Sequence, residues 1–167
     1  MRPLAATCLV LGVAALMAGC GKAADQSGGQ AGQPASGEPP TAVAPPPTEA
    51  EMKAAQAALP PPYDTADLAN GESRFAMCAS CHTITPGGPN MTGPNLHGVV
   101  GRKAGAAANY NYSDAVKAAG FTWDAAHLDK WLTDPRADLP GTKMSFVGLK
   151  DAKDRRDVIA YLMVNSR

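Results

Sequence analysis

The sequence has no excess of charge of either sign, and this lack limits its partners. Its 167 residues contain 15 Lys plus Arg and 15 Asp plus Glu, so the formal net charge is zero. A nucleic-acid partner would call for a basic face, and nothing here predicts one. Cysteine is also scarce, with only Cys8, Cys20, Cys78 and Cys81. Two of these lie in the first twenty residues and two lie three positions apart, so we expect no disulfide framework.

Aromatic residues are absent from the first 62 positions, and all nine lie between Tyr63 and Tyr161. Because large apolar side chains dominate core energetics, we expect the packed domain to cover 63–167. The stretch 21–62 holds 9 Pro, 5 Gly and 11 Ala among 42 residues. This composition buries too little apolar surface to offset the entropy of ordering. We therefore predict that 20–62 is a flexible linker that begins with Cys20.

One part of this linker has a local helix signal. Thr48-x-x-Glu51 has the form of a capping box in front of an alanine-rich run. A helix of about eleven residues is marginal on its own. A solvated spacer is therefore the favoured interpretation of this stretch.

No apolar run is long enough to span a bilayer. The run from Leu4 to about Met17 is shorter than the roughly 20 residues that a spanning helix needs, and it follows a short basic start. Such a pattern is typical of a signal peptide. The run ends in Leu16-Met17-Ala18-Gly19-Cys20, which resembles the lipobox of bacterial lipoproteins. The resemblance implies a lipoprotein signal peptide over 1–19, with a lipid on Cys20 that anchors the protein to the membrane. The alternative is an ordinary secretory signal and a soluble periplasmic protein.

The stretch Cys78-Ala79-Ser80-Cys81-His82 has the most specific chemistry. A C-x-x-C-H run is typical of a covalent c-type haem site, because thiols at this spacing can each reach one vinyl group of the same porphyrin. The histidine is then held under the iron as an axial ligand. Half of a zinc site and a thioredoxin-like redox pair are the alternatives. They fit poorly, since the chain has no second cysteine pair for zinc and no βαβ pattern.

Further motifs follow in a fixed order: Gly93-Pro-Asn-Leu-His-Gly98, Gly101-Arg-Lys103, Tyr112-Ser-Asp114, Trp123 and Pro140-Gly-Thr-Lys-Met144. Together with the cysteine motif they resemble mitochondrial-type class I cytochrome c over the whole of 63–167, including its bacterial membrane-tethered forms. The resemblance implies an all-α fold, in which three main helices and short ones wrap around one covalently bound haem c. In this family the first and last helices cross, and the expected contact is Gly71 against Tyr161.

The resemblance also implies roles for single residues around the haem. Met144 would be the second axial ligand, opposite His82, and the Pro94 carbonyl would accept the His82 Nδ1–H bond. The family most often has Tyr where this chain has Trp131. His97 and His127 are expected in loop or surface roles. The implied propionate donors are Arg102, Tyr112 and Trp123, and the residues expected near the ligand methionine are Thr142 and Trp131.

Capping and stop signals predict where the helices lie. Asp64 or Thr65 can cap a first helix that runs to the cysteine motif, and Ser113 can begin a short one. Pro135 should stop the helix that carries Trp131. Asp151 can begin the last helix.

The resemblance implies an electron carrier without catalytic residues or a small-molecule substrate, expected to be a monomer. The expected donor is a quinol–cytochrome c oxidoreductase and the expected acceptor a haem–copper terminal oxidase. Met/His ligation raises the reduction potential, and it fills both axial sites. The alternative is a peroxidase-like haem enzyme or a sensor in which Met144 dissociates. Family lysines that steer partners are replaced here at Met77, Asn90 and Ala137, so we expect weak salt dependence.

Overall fold

The computed structural model describes residues 47–165. This part of the chain contains six α-helices, one 3₁₀ turn and no strand beyond a single antiparallel bridge between Lys103 and Thr122. None of its helices combines the length and the apolarity that crossing a membrane requires. The predicted signal peptide and Cys20 lie outside the described residues. The all-α expectation is confirmed.

In chain order the elements are α1 (Glu49–Ala57), the 3₁₀ turn (Tyr63–Thr65), α2 (Leu68–Ala79), α3 (Asp114–Ala118), α4 (Ala125–Thr133), α5 (Pro135–Asp138) and α6 (Ala152–Asn165).

Side-chain caps fix where these helices begin. Asp67 accepts a hydrogen bond from Asn70 N at 3.0 Å and so begins α2. The prediction of Asp64 or Thr65 as this cap was wrong, because both residues belong to the preceding 3₁₀ turn. Ser113 does cap α3, as predicted.

The later helix ends agree with the sequence signals. Pro135 follows the end of α4 and takes the first position of α5, where its missing N–H needs no partner. Asp151 Oδ1 accepts from Lys153 N at 2.8 Å and Asp154 N at 3.0 Å. The last helix therefore begins where it was predicted to begin.

The crossing of α2 and α6 forms the centre of the domain. Gly71 is buried at the crossing, and a Cβ built on it would lie 2.9 Å from Tyr161 Cβ. One turn further along α2, the Phe75 ring packs against the Tyr161 ring with centroids 5.3 Å apart. The expected contact between Gly71 and Tyr161 is therefore confirmed. Only a residue without a side chain lets the two backbones approach this closely.

Helix α1 is formed and packed, so the favoured interpretation of its segment as a solvated spacer was wrong. Its capping box is formed, with Thr48 N donating to Glu51 Oε2 at 2.8 Å and Glu51 N donating to Thr48 Oγ1 at 3.3 Å. It packs against α6 and the 3₁₀ turn, and Leu59 is only 7% exposed. Tertiary packing thus stabilises a helix too short to persist alone. The packed unit begins before Tyr63, which was the boundary expected from the aromatic residues.

Candidate functional site

A cavity of about 330 Å³ lies between α2, α4, α6 and the loops that join them. Its walls are mostly apolar, and it is large enough for a small-molecule or cofactor site. Both cysteines of the C-x-x-C-H motif line it together with His82 and Met144. The lining residues that are also exposed to solvent define the mouth of the cavity; they are Met77, Ser80, Thr92, Lys143 and Ser145.

The end of α2 brings the motif onto the cavity wall. Cys81 N and His82 N both donate to Cys78 O, at 3.0 and 2.9 Å, and this tight turn follows the last helical residue. Burial, with a smaller contribution from the neighbouring Cys81, raises the pKa of the Cys78 thiol to about 11. A thioredoxin-like pair works through a thiol whose pKa is lowered. The environment of Cys78 therefore disfavours the redox-pair alternative.

His82 is held in one orientation. Its Nδ1 lies 2.7 Å from Pro94 O, so Nδ1–H is the donor and Nε2 keeps its lone pair for a ligand. Gly93 packs on the imidazole ring so closely that a Cβ would overlap it. Burial lowers the pKa of His82, against the opposing effect of the Pro94 hydrogen bond. The neutral imidazole that results is the form that binds a metal.

Met144 reaches the cavity from a separate loop. Thr142 N donates to Leu139 O at 3.1 Å, and Met144 N donates to Thr142 Oγ1 at 3.2 Å. After the methionine, Leu149 N donates to Leu132 O at 2.7 Å and so fixes the loop to the end of α4. The structure thus brings a thioether from this loop and an imidazole from the α2 turn into one cavity.

Two indole rings form part of the cavity wall. Trp123 and Trp131 are each 8% exposed, and their ring centroids lie 5.3 Å apart. Within residues 47–165, neither indole N–H has a hydrogen-bond partner, and neither indole nitrogen is fully shielded from solvent. Both residues line the cavity, so both unpartnered donors are available beside it. A carboxylate buried there would find them.

Tyr112 and Arg102 differ in their relation to the cavity. Tyr112 lines it, and burial raises the pKa of its phenol while a hydrogen bond from Ala107 N–H lowers it. Arg102 does not line the cavity. Its guanidinium donates to Asn95 O at 3.0 Å and His97 O at 3.1 Å. These bonds use two of the five guanidinium N–H donors, and the contact between Arg102 and a propionate that the resemblance implies stays a prediction.

Asn95 is a site residue to which the sequence reasoning gave no role. Its Nδ2 donates to Thr83 Oγ1, Thr85 O and Gly88 O at 2.8–2.9 Å, and it ties together the loop behind His82. An asparagine in a loop between Pro and Leu was the available signal, because Asn side chains commonly hydrogen-bond nearby backbone. His97 and His127 do not line the cavity.

The residues present fit a covalently attached haem. The residues that carry the two thiols, the imidazole with its free nitrogen, the thioether and the two indoles all line one apolar cavity. Within the described residues, no group of three or more His, Cys, Asp or Glu side chains could hold a metal ion by itself. A porphyrin would supply the remaining ligands that this donor set lacks.

Comparisons with known proteins agree with this geometry. The family model described as Cytochrome c matches residues 68–166. The chain is 51% identical over 100 residues to cytochrome c2 of Rhodomicrobium vannielii, covering 60% of this chain and 80% of that protein. It is 42% identical over 106 residues to cytochrome c of Kluyveromyces lactis, covering 63% of this chain and 96% of that protein. The solved structure of cytochrome cH from Methylobacterium extorquens is 52% identical with a TM-score of 0.54, covering 57% of this chain and 96% of that one. The chain therefore belongs to the cytochrome c family and is a haem c electron carrier, with one haem attached covalently through Cys78 and Cys81.

Proposed function

We propose that this protein carries single electrons on the periplasmic side of a bacterial cell envelope, and that His82 and Met144 would be the two residues that bind its haem iron. The haem supplies the Fe(II)/Fe(III) couple. The observation that carries the proposal is that an imidazole and a thioether, from separate segments, line the same apolar cavity. With both residues bound to it, the iron would offer oxygen and peroxide no vacant site at which to react.

The protein's residues have defined tasks in this mechanism. The Pro94 carbonyl orients His82 and increases the basicity of Nε2. Thr142 and the fixed loop after it hold Met144 in place. Trp123 and Trp131 would offer N–H donors to haem carboxylates, and Tyr112 and the remaining guanidinium donors of Arg102 would complete the propionate environment. Little rearrangement would accompany a change of one charge in such a fixed, mostly apolar site, and this favours fast outer-sphere transfer through the mouth.

The absorption spectrum of the matured holoprotein tests the axial ligands. We expect a methionine–iron charge-transfer band in the ferric form that survives peroxide, and a ferrous spectrum that carbon monoxide leaves unchanged. Met144→Ala should abolish this band, whereas Met91→Ala, at an exposed methionine, should keep it. A wild-type protein that binds carbon monoxide readily would overturn the proposal. The peroxidase-like enzyme or sensor, in which Met144 dissociates, would then replace it.

We further propose that Cys20 carries a lipid that tethers the domain to the membrane, where it accepts electrons from a quinol–cytochrome c oxidoreductase and passes them to a haem–copper terminal oxidase. The lipobox-like run ending at Cys20 supports the anchor. Replacing Cys20 by Ser should move the protein from the membrane fraction to the soluble periplasmic fraction. A Cys20→Ser protein that stays in the membrane fraction would refute the anchor, but it would leave the electron-carrier proposal intact.

The charge of the domain bears on how it meets these partners. Residues 63–167 carry 12 Lys plus Arg and 11 Asp plus Glu, a net charge of +1 before the propionates. Lys143 is the single charged residue among those that form the mouth, and its ammonium donates to Asn111 O at 3.0 Å. Tethering would thus take over part of the task of electrostatic steering. Weak salt dependence of transfer to the oxidase is expected, and a steep decline with added salt would contradict this view.

A further inference from the structure

Helix α1 and the 3₁₀ turn lie before the residues that match the cytochrome c family, which begin at Leu68. We propose that α1 is a clamp that fixes where the N-terminal segment joins the haem domain, on a face that contributes no residue to the haem cavity. The clamp shortens the free tether and leaves the mouth clear for a redox partner. Contacts in the structure support the clamp itself, whereas its effect on electron delivery depends on the membrane tether of the proposed function.

The contacts of α1 are specific and come from one face of the helix. Met52 and Ala55 pack against the buried core, and Leu59 is buried just after the helix. Gln56 Nε2 donates to Ala66 O at 2.5 Å, with Tyr63 O at 3.5 Å. This amide therefore joins α1 to the turn that leads into α2. An isolated nine-residue helix would be largely unfolded, so these contacts are what keeps α1 formed.

The solvent-facing side of α1 has a different character. Lys53, Ala54, Ala57 and Ala58 are exposed. None of them is large and apolar, so this side offers no hydrophobic patch that would call for a further partner. The docking of α1 onto α6 and the 3₁₀ turn thus accounts for its large apolar side chains, Met52 and Leu59.

The position of α1 separates it from electron exchange. No residue of 47–67 lines the cavity. The mouth is formed by the end of α2 and by segments around Thr92 and Lys143. Helix α1 instead packs against α6 and the 3₁₀ turn. The chain therefore joins the domain at Thr48 through residues that do not belong to the mouth.

The clamp changes the length of the connection to the predicted anchor. Between Cys20 and the domain there are 42 residues if the packed unit begins at Tyr63, but 27 if it begins at Thr48. For a flexible linker, the effective concentration at a partner falls roughly as the −3/2 power of length. Releasing α1 would therefore dilute the domain about twofold at a membrane partner. Met52, Gln56 and Leu59 are in this sense positioning residues.

The test uses the full-length, haem-loaded protein in two matched double variants. Met52→Asp with Leu59→Asp places carboxylates on the packed side, and Ala54→Asp with Ala58→Asp places the same carboxylates on the exposed side. We expect protease cleavage between 48 and 62 to be at least tenfold faster in the first variant than in the wild type, and within about twofold of the wild type in the second. In membrane vesicles that contain the oxidase, the first variant should transfer electrons about twofold more slowly, with an unchanged rate to a small soluble redox reagent.

Each result decides a different part of the proposal. Equal cleavage of the two double variants would overturn the clamp. If the first double variant fails to take up haem, Leu59→Ala provides a milder substitution for the same comparison. Faster cleavage with an unchanged oxidase rate would overturn the positioning role. A wild-type protein whose ferric spectrum lacks the methionine–iron band would instead refute the proposed function. The cleavage comparison still decides the clamp if Cys20 proves not to be lipidated.

Discussion

Asp157 is the charged residue whose removal should harm this protein most. It is fully buried on α6, and its carboxylate joins that helix to the start of α2. Asp67 N donates to Oδ1 at 3.1 Å and Asn70 Nδ2 donates to Oδ2 at 2.8 Å. Lys153 Nζ and Arg156 Nη2 donate at 2.8 and 2.7 Å. A buried carboxylate with this many donors is stable only while it is ionised.

The pKa of Asp157 gives the size and the pH range of its contribution. Burial alone would raise this pKa, but the hydrogen bonds from Lys153, Asn70, Arg156 and Asp67 outweigh it and lower the pKa from 3.8 to about 2. A difference of this size stabilises the folded state by about 2 kcal/mol. Because the folded pKa is the lower one, this stabilisation is complete above about pH 4. It is lost as the pH falls through about 2.

Asp157→Asn should lower the free energy of unfolding at pH 7 by about 3 kcal/mol, because an amide turns an NH₂ toward groups that are themselves donors. This corresponds to a decrease of about 10 °C in the Tm of the holoprotein, measured by circular dichroism. The difference between variant and wild type should shrink as the pH is lowered from 4 toward 2. Asp114→Asn is the matched control, since Asp114 is fully exposed in its ion pair with Lys117. A difference that is the same at pH 3 and pH 7 would refute the reasoning.

Two glycine substitutions test the close contacts around the site. Gly71→Ala places a methyl group against Tyr161 and the α6 backbone. Because overpacking costs about 1–3 kcal/mol, the Tm should fall by several degrees. The control Ser73→Ala, on the exposed side of α2, should leave the Tm nearly unchanged. A Gly71→Ala protein as stable as the wild type would show that the helices separate without strain. Gly93→Ala places a methyl group into the His82 ring, so the low-spin spectrum should weaken, and a spectrum identical to the wild type would contradict the described packing.

Local signals predicted much of this fold because the physics behind them is local. Ser113 and Asp151 begin helices, since a side-chain oxygen next to free N–H groups is stabilising wherever the chain runs. The C-x-x-C-H motif ends a helix and turns into the cavity through hydrogen bonds within five residues. Such contacts can be read without knowing the fold.

Features that depend on distant contacts were harder to predict. Arg102 has two carbonyl partners in its own loop, and no sequence pattern distinguishes these from a propionate. Asp157 is four residues from Lys153, a spacing that usually indicates a solvated ion pair on a helix surface. This carboxylate is buried because α2 packs against it, and Asp67, the capping residue of α2, lies 90 positions earlier in the chain.

Helix α6 contains the signal that could have located α1. Its second half is almost wholly buried: seven of the eight residues from Asp157 to Val164 are buried in the structure. A helix buried on every side needs neighbours on every side. Helices α2, α4 and α1 each pack against α6, while its inner residues Val158 and Leu162 line the cavity. An alanine-rich helix preceding the family domain is therefore better interpreted as part of its packing than as a spacer, because the last helix leaves apolar surface for it to cover.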